Sequence, residues 1–229
     1  QLVSDRTKLL IINSPQNPTG GVLSATDLDA IAALAVKHDF WVLSDEIYSK
    51  IIYEGTHESI STRPGMLQRT ILLDGHSKTY AMTGWRLGYG VMPVPLAEAV
   101  AKLQTNCTSC TAAFTQVAGA EALTGPQDEA EAMVAEFKQR RDLLVDGLNA
   151  IDGVSCKRPR GAFYVFANIT GLGLTSKDVE QRLLNDYGVA ALAGTSFGSY
   201  GEGYLRFSYA NSQTNIKKAL DRFAEFAAA

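Results

Sequence analysis

The residues best equipped for chemistry lie in one stretch, Ser77-Lys78-Thr79-Tyr80-Ala81-Met82-Thr83-Gly84-Trp85-Arg86-Leu87-Gly88-Tyr89. A lysine amine can form a Schiff base with an aldehyde when burial disfavours its charged form. Ser77 offers a hydroxyl donor and Arg86 a planar fork of donors. Three further stretches carry candidates. Asn17 stands in Asn13-Ser14-Pro15-Gln16-Asn17-Pro18-Thr19-Gly20-Gly21, Asp45 and Tyr48 in Ser44-Asp45-Glu46-Ile47-Tyr48, and Arg206 in Tyr204-Leu205-Arg206-Phe207-Ser208. Read singly, each has a plainer alternative. Lys78 reads as a structural or solvated lysine, and Asn17 as part of a turn-rich connection. Asp45 reads as a cap and Tyr48 as a half-buried core aromatic. Arg206 reads as half of a structural salt bridge, because an arginine inside an apolar strand is costly unless paired.

The elements around these residues follow from hydrophobic pattern and turn chemistry. Strands are expected at 9–12, 40–43, 70–74 and 87–92, each short, apolar and bounded by Gly or polar residues. Asp45 and Tyr48 then follow the end of a strand, where ligands bind in open parallel sheets. Pro18 fixes its own φ and biases Asn17 towards an extended backbone. Ser24, with Asp27 three residues on, opens a helix whose face is Leu28, Ile31, Ala32, Ala35 and Val36. The stretch 56–69 reads as loop. Pro93 and Pro95 open a helix over about 95–105, and a second runs over 112–123. A long helix is expected from about 126 to 151. Its sided face holds Met133, Val134, Phe137, Arg141, Leu144, Val145 and Leu148. The remainder reads as a small α+β unit. Strands are expected at 154–157, 162–167, 189–192 and 204–208, with a helix at 176–187 capped by Ser176 and a terminal helix at 212–227. The domain boundary is placed near 146, giving a larger unit over 1–146 and a smaller one over 147–229.

The Ser-Lys pair with Gly-Trp-Arg-Leu-Gly-Tyr resembles the cofactor-lysine signature of class I and II pyridoxal-phosphate aminotransferases. The Asn-Pro-Thr-Gly, Asp-Glu-x-Tyr, Gly161-Ala162-Phe163-Tyr164 and Tyr-Leu-Arg-Phe-Ser stretches resemble that family's other signatures, in the same order. The resemblance implies an α/β fold of the aspartate-aminotransferase type: a mostly parallel sheet in the large domain and a smaller C-terminal α+β domain. It implies that Lys78 holds pyridoxal 5′-phosphate as a Schiff base and then moves the substrate proton. Ser77 and Arg86 would hold the phosphate. Asp45 would keep the pyridine nitrogen protonated, and Tyr48 and Asn17 would contact the ring oxygen. Arg206, with Asn17, would bind the substrate α-carboxylate. The implied reaction is amino-group transfer between an amino acid and a 2-oxo acid (EC 2.6.1.-), in a homodimer with shared active sites. Related pyridoxal-phosphate C–S lyases and synthases share these signatures, and an inactive fragment is a further alternative. The chain begins with Gln1 and reaches a strand-like run almost at once, so an upstream segment is expected.

Composition narrows the remaining classes. The 229 residues carry a formal net charge of −3 and no long Lys/Arg run, which argues against nucleic acid and anionic membrane as main partners. No stretch approaches the ~20 apolar residues of a membrane span, and no signal segment leads the chain, so a cytoplasmic protein is expected. Cys107 and Cys110 form a C-x-x-C, which raises a redox or zinc alternative, but no second pair completes a zinc site. His38, His57 and His76 lack metal-ligand spacing. No G-x-G-x-x-G follows a strand, which disfavours a nicotinamide dehydrogenase.

Overall fold

The computed structural model describes residues 2–229. The chain divides into two compact units, residues 2–15 with Val22–Glu131, and Gln16–Gly21 with Ala132–Ala229. The division falls within the long helix, N-terminal to the boundary expected near 146, and the segment carrying Asn17 belongs to the second unit.

The first unit is built on a four-stranded sheet of order β1-β2-β3-β4. Its strands are β1 (Leu9–Asn13), β2 (Trp41–Asp45), β3 (Thr70–Gly75) and β4 (Gly88–Val91). The first three are parallel and β4 is antiparallel to β3. Helix α1 (Ala25–His38) starts at Ser24, whose hydroxyl accepts from the Asp27 N–H while the Asp27 carboxylate accepts from the Ser24 N–H, a complete capping box. Leu28, Ala32 and Ala35 of α1 pack with Phe40, Val42, Ile60 and Met66, and Leu10 and Ile12 of β1 join them. The stretch expected as loop thus supplies two core residues, Ile60 from a short 3-10 turn and Met66. Helices α2 (Val94–Thr108) and α3 (Ala113–Thr124) follow β4. Gly75 and Gly88 face each other across β3 and β4, and a Cβ on Gly75 would lie 2.9 Å from the Gly88 Cα. No larger residue fits that crossing without moving the two strands apart.

Helix α4 (Asp128–Asn149) leads into the second unit, whose sheet has the antiparallel order β5-β7-β6. Its strands are β5 (Tyr164–Asn168), β6 (Leu192–Ala193) and β7 (Tyr204–Ser208), and α5 (Ser176–Asn185) and α6 (Gln213–Ala228) complete the unit. Its core includes Leu144, Leu148, Val165, Val179, Leu183, Leu205, Phe207 and Phe223. Three expectations change here. The strand expected at 154–157 is reduced to one bridge, Ser155 with Asn168. The Asn149 side chain donates to the Cys156 carbonyl and accepts from the Cys156 N–H, so that residue has no backbone group left for a ladder. The strand expected at 189–192 shrinks to Leu192–Ala193. Helix α5 is capped by Thr175, whose hydroxyl accepts from the Asp178 N–H. Ser176 instead donates to Glu202 and accepts from the Gly203 N–H.

Candidate active site

In the first unit, parallel pairing brings the carboxyl ends of β1, β2 and β3 side by side. Asn13 pairs with Asp45, and Asp45 pairs with Leu73. The Asp45 carbonyl accepts from the Asn13 side chain at 2.9 Å and from the Ser14 N–H at 3.2 Å, which fixes the end of β2. The Asp45 carboxylate is partly buried. One oxygen accepts from the Ile47 N–H at 3.2 Å, and the other has no partner among the described residues. Tyr48, three residues on, is 4 % exposed.

Lys78 lies just past the end of β3, in a coil held at several points. The His76 N–H donates to the Leu87 carbonyl, and the His76 carbonyl accepts from the N–H groups of Tyr80 and Met82. The His76 ring contacts the Gly119 carbonyl of α3 at 3.1 Å. Its Nε2 must be the protonated nitrogen there, since a carbonyl oxygen only accepts. The Tyr80 hydroxyl donates to Gln127 at 3.1 Å, and the Thr83 hydroxyl donates to the Ser77 carbonyl at 2.9 Å. The coil is therefore rigid while its two reactive groups are left over. Neither the Ser77 hydroxyl nor the Lys78 amine has a hydrogen bond or ion pair among the described residues, and both residues are partly buried. Arg86 has a left-handed backbone (φ 55°) and an exposed side chain, and its fork donates to the Thr83 carbonyl at 2.7 Å.

Beside this coil, burial pushes the Asp74 carboxyl above the usual range, against hydrogen bonds from the Gly75 N–H and the Tyr89 and Ser49 hydroxyls. Tyr89 is pushed up to about 12 by burial and by the adjacent Asp74.

In the second unit, Arg206 lies on β7, paired with Phe166 on one side and Leu192 on the other. Its guanidinium stacks over the Tyr164 ring at 4.6 Å and the Phe197 ring at 5.0 Å. One arm donates to the Asn17 side-chain oxygen at 3.0 Å. Its Nε is buried without a partner, and no carboxylate lies within ion-pair reach among the described residues. The structural salt bridge that sequence alone allowed is thus not what keeps this arginine in an apolar strand.

Sequence reasoning gave no role to four contributors. Glu46 is buried and accepts from the Ser44 and Ser59 hydroxyls and from His57. Tyr164 and Phe197 clamp Arg206. Arg141, placed on the apolar face of α4 by its spacing, is 2 % exposed and bonded to the Pro159 carbonyl. Arg141 carried a signal, a charged residue within an apolar helical stripe, and Tyr164 stood in a signature stretch, but neither signal pointed to Arg206.

The fold and these groups define an α/β scaffold with an unpartnered amine and hydroxyl after a central strand. The chain belongs to the class I and II aminotransferases: the model of that family, described as aminotransferase class I and II, matches residues 1–223. The aspartate aminotransferase of Pyrococcus abyssi (strain GE5 / Orsay) is 44% identical over 223 residues, 96% of this chain and 57% of that protein. The aromatic-amino-acid aminotransferase 2 of Thermococcus litoralis is 41% identical over 96% of this chain and 57% of that protein. Among solved structures, the aromatic aminotransferase of Pyrococcus horikoshii OT3 superposes with TM-score 0.95 at 42% identity, covering 98% of this chain and 61% of that one. The chain spans a little over half the length of the relatives it matches.

Pyridoxal 5′-phosphate is the cofactor of this family. The residues of the first unit fit it chemically. They offer an unengaged amine for its aldehyde, an unengaged hydroxyl and a largely free guanidinium for its phosphate, and a carboxylate oxygen without a protein partner for its ring nitrogen. Among the described residues no group of His, Cys, Asp and Glu could hold a metal ion. Among the described residues no helix is long and apolar enough to cross a membrane.

Proposed function

We propose that the protein is an aminotransferase that moves an amino group between an amino acid and a 2-oxo acid. The observation that carries this reading is the Lys78 amine, set in a coil tethered at several points yet itself without a partner among the described residues. When bound, pyridoxal phosphate supplies the electron sink for a carbanion at the substrate Cα. Lys78 would hold the cofactor, and its amine would serve as general base at the substrate Cα and as general acid at the cofactor C4′. Ser77 and Arg86 would bind the phosphate, Asp45 would hold the ring nitrogen in its protonated form, and Tyr48 and Asn17 would contact the ring oxygen. Arg206 takes the α-carboxylate on the edge of its fork not used by Asn17. Cation–π contacts with Tyr164 and Phe197 hold the guanidinium plane while it does so.

Phe114 and Val117 of α3, each 72 % exposed, favour a homodimer. Three unpaired cysteines suit a reducing, cytosolic compartment.

The test is to add pyridoxal phosphate, reduce with borohydride and map the adduct by mass spectrometry. A phosphopyridoxyl group confined to Lys78 is expected. Adducts scattered over many lysines would overturn the assignment. Analysis of the products then separates amino transfer, which yields a 2-oxo acid, from elimination.

A further inference from the structure

We propose that Arg141 is a positioning residue that holds Asn17 against Arg206 from beneath; this rests on reading those two residues as the carboxylate pair. A guanidinium 2 % exposed in a helix is costly unless its charge and its donors are met. Here Nε donates to the Asp142 carboxylate at 2.8 Å, and another arm donates to the Pro159 carbonyl at 2.9 Å. Arg158 also binds Asp142 and donates to Asp146 at 2.6 Å, so both ends of the 158–159 turn are tied to α4. The next residues are fixed as well. Ala162 is fully buried with φ 57°, and its carbonyl accepts from the Tyr209 hydroxyl at 3.0 Å.

That turn is the seat of the 16–21 loop. The Gly20 carbonyl accepts from the N–H groups of Arg160 at 3.1 Å and Gly161 at 3.0 Å. Gly20 lies so close to the turn, at φ 67°, that a Cβ on it would stand 2.4 Å from the Pro159 Cβ. The loop closes on itself through Gly20 N–H to Gln16 carbonyl and Gln16 N–H to Gly21 carbonyl, both 2.8 Å, and this hoop carries Asn17. Asn17 meets Arg206 at 3.0 Å, and the hoop that carries it is held by the backbone of 160 and 161. Moving the Pro159 carbonyl moves the hoop.

The experiment is amide hydrogen exchange by NMR on Arg141→Met and, should that variant fold poorly, Arg141→Lys, which keeps a donor but loses the fork. The amides of Gln16, Gly20, Arg160 and Gly161 are expected to exchange about 10- to 100-fold faster, the loss of one charge-assisted hydrogen bond. Those of Val179 and Leu183 in α5 should change less than about twofold. Ile216→Val, which trims the same unit's core away from the turn, should leave the four loop amides at their parent rates relative to α5. Unchanged loop rates, or acceleration spread evenly over the unit, would overturn the proposal. Failure of the carboxylate reading shows elsewhere: Arg206→Lys would leave the KM for 2-oxo acids unchanged, without altering any exchange rate at Arg160 or Gly161.

Discussion

Replacing Glu46 by Gln is expected to destabilise the first unit by about 2–4 kcal/mol, although the side chain keeps its shape. The Glu46 carboxylate is 5 % exposed and meets three donors: Ser44 at 2.9 Å and Ser59 at 2.7 Å on one oxygen, and the His57 Nε2 at 2.6 Å on the other. An amide oxygen can keep the two hydroxyls, but the amide nitrogen then faces the Nε2–H of His57, donor against donor. The ring escapes only by carrying its proton on Nδ1, which is buried with no partner. The variant therefore loses a charge-assisted hydrogen bond, about 1.5–3 kcal/mol, and gains a buried unpaired donor, about 1–3 kcal/mol. Relief from burying a charge offsets part of the sum. Urea unfolding gives the readout: with an m-value of about 2–3 kcal/mol/M, the midpoint should fall by about 1 M. Adding His57→Phe removes the opposed donor, so the double variant should be more stable than the sum of the two single losses predicts. A midpoint within about 0.2 M of the parent would refute the reasoning, because it would mean that the ring and the carboxylate are not engaged.

Gly20→Ala should cost about 2–4 kcal/mol in the second unit, from a left-handed backbone and overpacking against Pro159, and a loss under about 0.5 kcal/mol in chemical unfolding would count against that packing. Asp74→Asn should raise the melting temperature at pH 7. A carboxyl whose folded pKa lies above its unfolded value destabilises the fold once the pH exceeds the folded value, and that penalty vanishes below the unfolded value of about 3.9. The gain should therefore disappear near pH 3, and an equal gain at both pH values would exclude ionisation as its cause. Asp142 behaves in the opposite sense. Burial raises its carboxyl, but hydrogen bonds from Arg141 and Arg158 prevail and hold it below the usual range. Its stabilising effect is complete above about pH 4 and is lost as the pH falls through the folded value, so Asp142→Asn should flatten the acid limb of a stability–pH curve. The Cys156 thiol is buried and pushed up to about 11, while Cys107 and Cys110 are exposed. Iodoacetamide at pH 8 should label those two in the native protein and spare Cys156 until it unfolds.

The candidate site residues could be named from sequence because each proposed role demands a particular residue type at a fixed offset from a strand end. An amine after a strand, a hydroxyl beside it and an arginine within an apolar strand each have a plainer reading alone, and only their order along the chain makes them candidates. The four strands of the first unit were legible for a similar reason: short apolar runs between Gly and polar residues leave few other readings. Features that rest on satisfaction by distant partners were not legible. Glu46 looks like any acidic residue after a strand until Ser59 and His57 are folded onto it. The run 154–157 has strand-like composition, and nothing in it reveals that Asn149 occupies both backbone groups of Cys156. With hydroxyls at both 175 and 176, only the position of Glu202 decides which one caps α5.

The 16–21 loop shows the same limit at the level of domains. A boundary drawn from sequence is a single cut, because periodicity and loop composition change along the chain and not across it. The observed division assigns this loop to the second unit, while the residues on either side of it belong to the first. What makes that assignment is a pair of N–H groups from 160 and 161 on one carbonyl, and a glycine that lets two backbones close to contact. Neither has a local signature beyond the glycine itself. The consequence is functional: Asn17 is reached along the chain from β1, yet its position is set by α4 through the Pro159 turn. Variants far from Asn17 in sequence, at 141 or 158, should therefore disturb it more than changes in β1 of equal cost to stability.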